Sequence, residues 1–180
     1  CTANASGNVT QPAAALSGST VVTNVACFGG ATGAVNLTVA GGTAPYTFLW
    51  SNGATTEDIT NVTAGNYTVV ITDANLCTAN ASGNVTQPAA ALSGSTVVTN
   101  VACFGGATGA VNLTVAGGTA PYTFLWSNGA TTEDLTNVAA GNYTVVITDA
   151  NLCTANASGN VTQPAAALSG STVVTNVACF

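Results

Sequence analysis

The segment from Cys1 to Phe28 recurs unchanged at 77–104 and again at 153–180, so the chain is built on a period of 76 residues. Laying 1–76 over 77–152 leaves two differences, Ile59 against Leu135 and Thr63 against Ala139. Near identity of this kind follows recent duplication or homogenisation of an array, and it means that each copy makes the same contact with its neighbour. The chain starts and stops in mid-repeat, so the expectation is an excerpt of a longer protein. Cys1 is not a natural start, and no targeting segment is in view.

Module boundaries are expected at Thr86-Gln87-Pro88-Ala89 and its equivalents at Pro12 and Pro164, because proline cannot donate to a sheet ladder and small residues follow it. Residues 13–88 and 89–164 then form two modules. Residues 1–12 are expected to be the last strand of a preceding module, and 165–180 the first strand of a following one.

Between boundaries the hydrophobic pattern has period two. Val35, Leu37 and Val39 alternate with Asn36 and Thr38, and Tyr67, Val69 and Ile71 with Thr68, Val70 and Thr72. Weaker runs cover 20–25, 45–50, 58–62 and 78–85, separated by Gly29-Gly30, Gly41-Gly42, Asn52-Gly53, Ala64-Gly65 and Asp73-Ala74-Asn75. No helical stripe is present. The chain therefore reads as all-β: tandem immunoglobulin-like antiparallel β-sandwich modules forming a linear array. The predicted core of each is Val22, Val35, Leu37, Val39, Tyr46, Phe48, Trp50, Ile59, Val62, Tyr67, Val69 and Ile71. Tyr67 is expected to bond its hydroxyl to backbone at the corner before its strand. So few large residues make a thin core, and extra stapling is expected.

Composition excludes much chemistry. There is no Lys, Arg or His, and six acids give a net charge of −6. Nucleic-acid binding lacks the cations that would neutralise phosphates. Within this segment, His-dependent nucleophilic sites, Schiff bases, His-ligated metals and Lys–Asn isopeptide links are equally impossible. No apolar run is long enough to span a bilayer. No cation exists to pair with the acids, so salt should only relieve repulsion, and protonation should be neutral or slightly stabilising unless the carboxylates bind Ca²⁺ or backbone amides.

Six cysteines fall at two phases, Cys27, Cys103 and Cys179 after the first strand and Cys1, Cys77 and Cys153 at the start of the last, which points to an oxidising compartment. Pairing within a module, Cys27 with Cys77 and Cys103 with Cys153, is preferred as the ordinary staple of a secreted domain. Two alternatives stay open, because first and last strands running the same way would place those cysteines at opposite poles. One is a hairpin across the boundary, joining Cys1 with Cys27, Cys77 with Cys103 and Cys153 with Cys179. The other is axial stacking, joining Cys27 with Cys153.

The runs Cys27-Phe28-Gly29-Gly30-Ala31-Thr32-Gly33, Leu37 to Tyr46, Trp50 to Asp58, Ala64 to Val69 and Thr72 to Cys77 closely resemble the SprB repeat. The resemblance covers nearly the whole period and recurs from Cys103 to Cys153; more loosely, the modules are similar to PKD and other immunoglobulin-like domains. It implies a cell-surface or extracellular protein of Bacteroidetes, exported by type IX secretion and related to the gliding-motility adhesin of that name. Where Leu76 and Leu152 stand, the family often has Gly, and the tip of that turn is expected to be buried. The resemblance carries no catalytic residue and no cofactor.

Glu57, Asp58, Asp73 and Asn75 offer oxygen ligands for Ca²⁺ if their turns converge; the plainer reading is solvated turn residues and a local cap, with no metal. A carboxylate pair for glycosidase chemistry has no cleft-forming insertion to sit in. Tyr46, Phe48 and Trp50 share one strand face, which reads as core rather than as a glycan platform. The expected function is a structural repeat of a long extracellular filament or adhesin stalk, non-enzymatic, with neighbouring modules as partners and other copies of the fibre beside it. The alternative is a glycan- or surface-binding module repeated for avidity.

Overall fold

Alternating burial along short strands organises each half of the chain, as seen in a computed structural model that describes residues 1–176. In the first half these are β1 (Ser17–Thr23), β2 (Gly33–Ala40), β3 (Thr47–Trp50), β4 (Ile59–Val62), β5 (Gly65–Thr72) and β6 (Thr78–Val85). The second half repeats them as β7 (Ser93–Thr99), β8 (Gly109–Ala116), β9 (Thr123–Trp126), β10 (Leu135–Val138), β11 (Gly141–Thr148) and β12 (Thr154–Val161). They fall into two compact units, Cys1–Ala91 and Leu92–Phe180. The described residues contain no helix.

Each module is a sandwich of two antiparallel three-stranded sheets, β1-β2-β4 facing β3-β5-β6 in the first and the equivalent strands in the second. This is the immunoglobulin arrangement, in which the first, second and fifth lettered strands oppose the third, sixth and seventh, here without a fourth. Trp50 ends β3 opposite Val69 and is buried, as the tryptophan of that strand is in immunoglobulin domains. The tyrosine corner forms as expected, with the Tyr67 hydroxyl donating to the Thr63 carbonyl at 3.0 Å and the Tyr143 hydroxyl to that of Ala139 at 3.0 Å. Its acceptor is backbone, so the bond survives the change from Thr63 to Ala139, which removes only the 3.4 Å contact of the Thr63 hydroxyl with the Tyr67 hydroxyl.

The core of the first module is Val25, Val35, Leu37, Trp50, Ile59, Val62, Val69, Ile71 and Val85, rimmed by Val22, Val39, Tyr46, Phe48 and Tyr67. Every residue predicted for the core is thus inside or at its rim. Val25 and Val85 are additions, drawn in where β1 and β6 meet. There the Val25 N–H donates to the Thr86 carbonyl at 2.9 Å and the Thr20 hydroxyl to that of Ser82 at 2.7 Å, joining one edge of each sheet. Glycine makes this approach feasible: a Cβ on Gly18 would stand 2.5 Å from Ile71 Cδ1, and one on Gly83 2.8 Å from Val35 Cγ1. A thin set of large residues suffices because the sheets close over small ones.

The segments 1–12 and 165–176 form no strand, although they copy the sequences of β6 and β1. Each lacks a complementary partner strand, and strand structure resides in the pairing rather than in the residues. Residues 177–180 of the expected following strand lie outside the described residues.

The alternation predicts opposite outcomes for neighbours on β3. Replacing Trp50 and Trp126 by Ala should cost about 3 to 5 kcal/mol per module. Replacing the outward Leu49 and Leu125 should change stability by about 0.5 kcal/mol or less. Urea denaturation midpoints of the two double variants check this.

Candidate functional site

The side chains with chemistry gather at the two ends of each module. One end is built by the turn Asp73 to Cys77, between β5 and β6. Asp73 is 3 % exposed, the sole charged side chain buried in its module. Its Oδ1 accepts the N–H groups of Asn75 at 2.9 Å and Cys77 at 2.8 Å, and its Oδ2 accepts that of Thr43 at 3.0 Å. Asn75 Nδ2 donates to Thr43 Oγ1 at 3.0 Å and ties the turn to the loop after β2. Asp149 repeats the arrangement with Asn151, Cys153 and Thr119. Burial pushes the Asp73 carboxyl up, but the N–H donors of Cys77, Thr43 and Asn75, with the Cys77 thiol, outweigh it and hold its pKa below the ordinary 3.8.

This corrects the reading of Asp73 as a solvated turn residue: it is a buried hub whose oxygens are taken by amide donors. Asp58 also binds backbone. Its Oδ1 accepts the Leu37 N–H at 2.8 Å, continuing the β2 ladder beyond the start of β4. Glu57 is exposed. Asp58 and Asp73 therefore serve different hydrogen-bond sets, and among the described residues no group of three or more Asp, Glu, Cys or His converges on a common point.

Leu76, next to the hub, adopts φ 66° and is 82 % exposed; Leu152 has φ 64° and 81 % exposure. The tip is thus open rather than buried, as its resemblance-based expectation had it. The positive φ explains why glycine suits that position.

The opposite end is the turn after β1. The Gly30 N–H donates to the Cys27 carbonyl at 3.0 Å, and the Gly29 N–H to Gln87 Oε1 at 2.8 Å, just past β6. Cys27 therefore sits where β6 finishes and Cys77 where it begins. Eight residues of strand, at about 3.3 Å each, separate them by roughly 26 Å.

That distance overturns the preferred pairing. Cys27 and Cys153 are in disulfide form, whereas Cys1, Cys77 and Cys103 are free thiols. The in-module pairs Cys27 with Cys77 and Cys103 with Cys153 are not formed, because each would have to span a module. Nor are Cys1 with Cys27 or Cys77 with Cys103. A bond from Cys153 to Cys179 concerns a residue outside the described residues. The fold closes without an in-module staple.

On β3, Trp50 is buried and Phe48 packs against the core, as does Tyr46 just before the strand, while Leu49 faces outward. The aromatic residues are core, as their spacing predicts.

A pair of three-stranded sheets with a tyrosine corner, repeated in tandem, defines an immunoglobulin-like repeat protein. Within that class, the SprB repeat family model matches at residues 19–55 and 95–131, one match in each module. Among solved structures, the crystal structure of murine CEACAM1b matches with 18 % identity and a TM-score of 0.32, covering 82 % of this chain and 98 % of that one. No curated protein matches.

Two outcomes follow from the hub. A group whose folded pKa is depressed stabilises above its unfolded pKa, near 3.8, and loses that contribution as pH falls through the folded value. Acid should therefore destabilise the modules below about pH 4, contrary to the neutral effect expected for unbound carboxylates. Asp73→Asn with Asp149→Asn should lower Tm at pH 7 by on the order of 10 °C and flatten its fall between pH 5 and 2. Calorimetry across that range measures both. Leu76→Gly with Leu152→Gly should instead raise stability by roughly 0.5 to 1 kcal/mol per module, since the left-handed penalty removed exceeds the entropy added to the unfolded chain. Chemical denaturation reads this directly.

Proposed function

We propose that this chain is a structural segment of a long extracellular filament or cell-surface adhesin stalk, acting as a spacer. The observation that carries the reading is the double SprB match falling on two modules that repeat the same strands, core and buried hub. Modules that fold alike present like ends, which turns duplication into a regular assembly of neighbouring repeats. The gliding-motility, type IX and Bacteroidetes setting is carried by the family resemblance. A non-enzymatic role is supported by the lack of Lys, Arg and His and by the commitment of Asp58 and Asp73 to backbone amides. Phe48 and Trp50 of β3 turn inward, which gives the glycan-binding alternative no support from that strand.

Antibodies raised against the module should decorate filaments on intact cells, evenly along their length. Because no ion pairs exist to be screened, decoration should persist in about 1 M NaCl. Immunogold microscopy tests this; label confined to the cell interior, or lost with salt, refutes the stalk.

A further inference from the structure

The cysteines pose a symmetry problem that the module cannot solve internally. Cys27 and Cys103 occupy the same place in two nearly identical sequences, and the hydrogen bonds of their turns match, although Cys27 is half-buried and Cys103 exposed. Gly30 and Gly106 each donate to the preceding cysteine carbonyl at 3.0 Å, and Gly29 and Gly105 each to a glutamine side chain at 2.8 Å. Cys77 and Cys153 are likewise equivalent, each N–H lying 2.8 Å from the buried aspartate. Yet Cys27 and Cys153 are oxidised, while Cys77 and Cys103 are exposed thiols. Equal interiors with unequal sulfurs mean that the oxidation state is decided outside the module. Since one cysteine of each kind is oxidised, both positions are competent to form disulfides. Since the two lie at opposite ends of a module, neither can use its own module's other cysteine.

We propose that Cys103 and Cys77 are covalent junction sites, each taking the cysteine of the other kind from a further copy of the module: Cys103 bonds a Cys77-type sulfur, and Cys77 a Cys27-type sulfur. The thiolate of one attacks an oxidised low-molecular-weight or protein disulfide, giving a mixed disulfide and one released thiol. The second cysteine's thiolate then displaces the remaining thiol and forms the junction. Two cysteine protons are lost, and the donor disulfide is reduced to two thiols. The exposed position of both sulfurs leaves them open to this attack. The inference rests on the stalk reading only in supposing that further modules exist; its chemistry belongs to the module.

The test uses the full chain with Cys1→Ser and Cys179→Ser, so that only the two module thiols react, held at high concentration with oxidised glutathione. The parent should give a ladder of chain multiples on a non-reducing gel, collapsed by reductant. Cys77→Ala and Cys103→Ala variants should each remain single chains, and their mixture should convert mostly to dimers and nothing longer. Thermal melts matching the parent verify that the variants fold, as expected for exposed side chains. Dimers from either variant alone would show like-with-like bonding and overturn the proposal. A mixture that stays monomeric under oxidation overturns it equally, while leaving the filament reading to stand or fall by labelling.

Discussion

The close approach of the two sheets where β1 lies against β6 is the constraint on which the module depends. It brings Val25 and Val85 into the core and is permitted by Gly18 and Gly83, whose missing side chains leave room for Ile71 and Val35. A chain rich in small residues cannot fill a wide gap between sheets, so it narrows the gap instead. Dispersion contacts fall off steeply with separation, and a core of modest volume then still packs densely.

Much of this is legible in the residues. The period-two runs at Val35 to Val39 and Tyr67 to Ile71 locate β2 and β5, and Thr78–Val85 matches β6 to the residue. The tyrosine corner follows from the short turn before Tyr67. What resisted reading depended on groups distant in sequence. Asp73 looks like any turn aspartate until Thr43, thirty residues earlier, supplies an N–H that makes burying it tolerable. Val25 closes the weak run 20–25 but lies past the end of β1, and it is buried because β6 ends beside it. The starkest case is the segment that forms β6 at 78–85 and no strand at 2–9: an unchanged sequence takes two states according to whether β5 is there to receive it.

The cysteines show how one fold divides its tasks differently. In antibody domains the second cysteine lies two residues after the corner tyrosine and bridges the sheets. Here that position is Val69, fully buried near Val35, and apolar contact holds the sheets together without a bond. The sulfurs sit instead at the ends, where they contribute nothing to closing the sandwich. Cohesion within a module and any linkage beyond it are thereby separated, the first resting on burial and on the Asp73 hub, the second on redox chemistry.

The unpaired segments at 1–12 and 165–176 carry an evolutionary corollary. Because β1 and β6 each need partners from within one period, a recombination event that adds or removes 76 residues leaves every ladder, core contact and buried carboxylate intact, whatever point in the period it falls on. One that cuts the count by any other length strands an edge without its mate. Gene length can therefore drift in whole-module steps almost free of folding cost, each step adding or removing an interchangeable part.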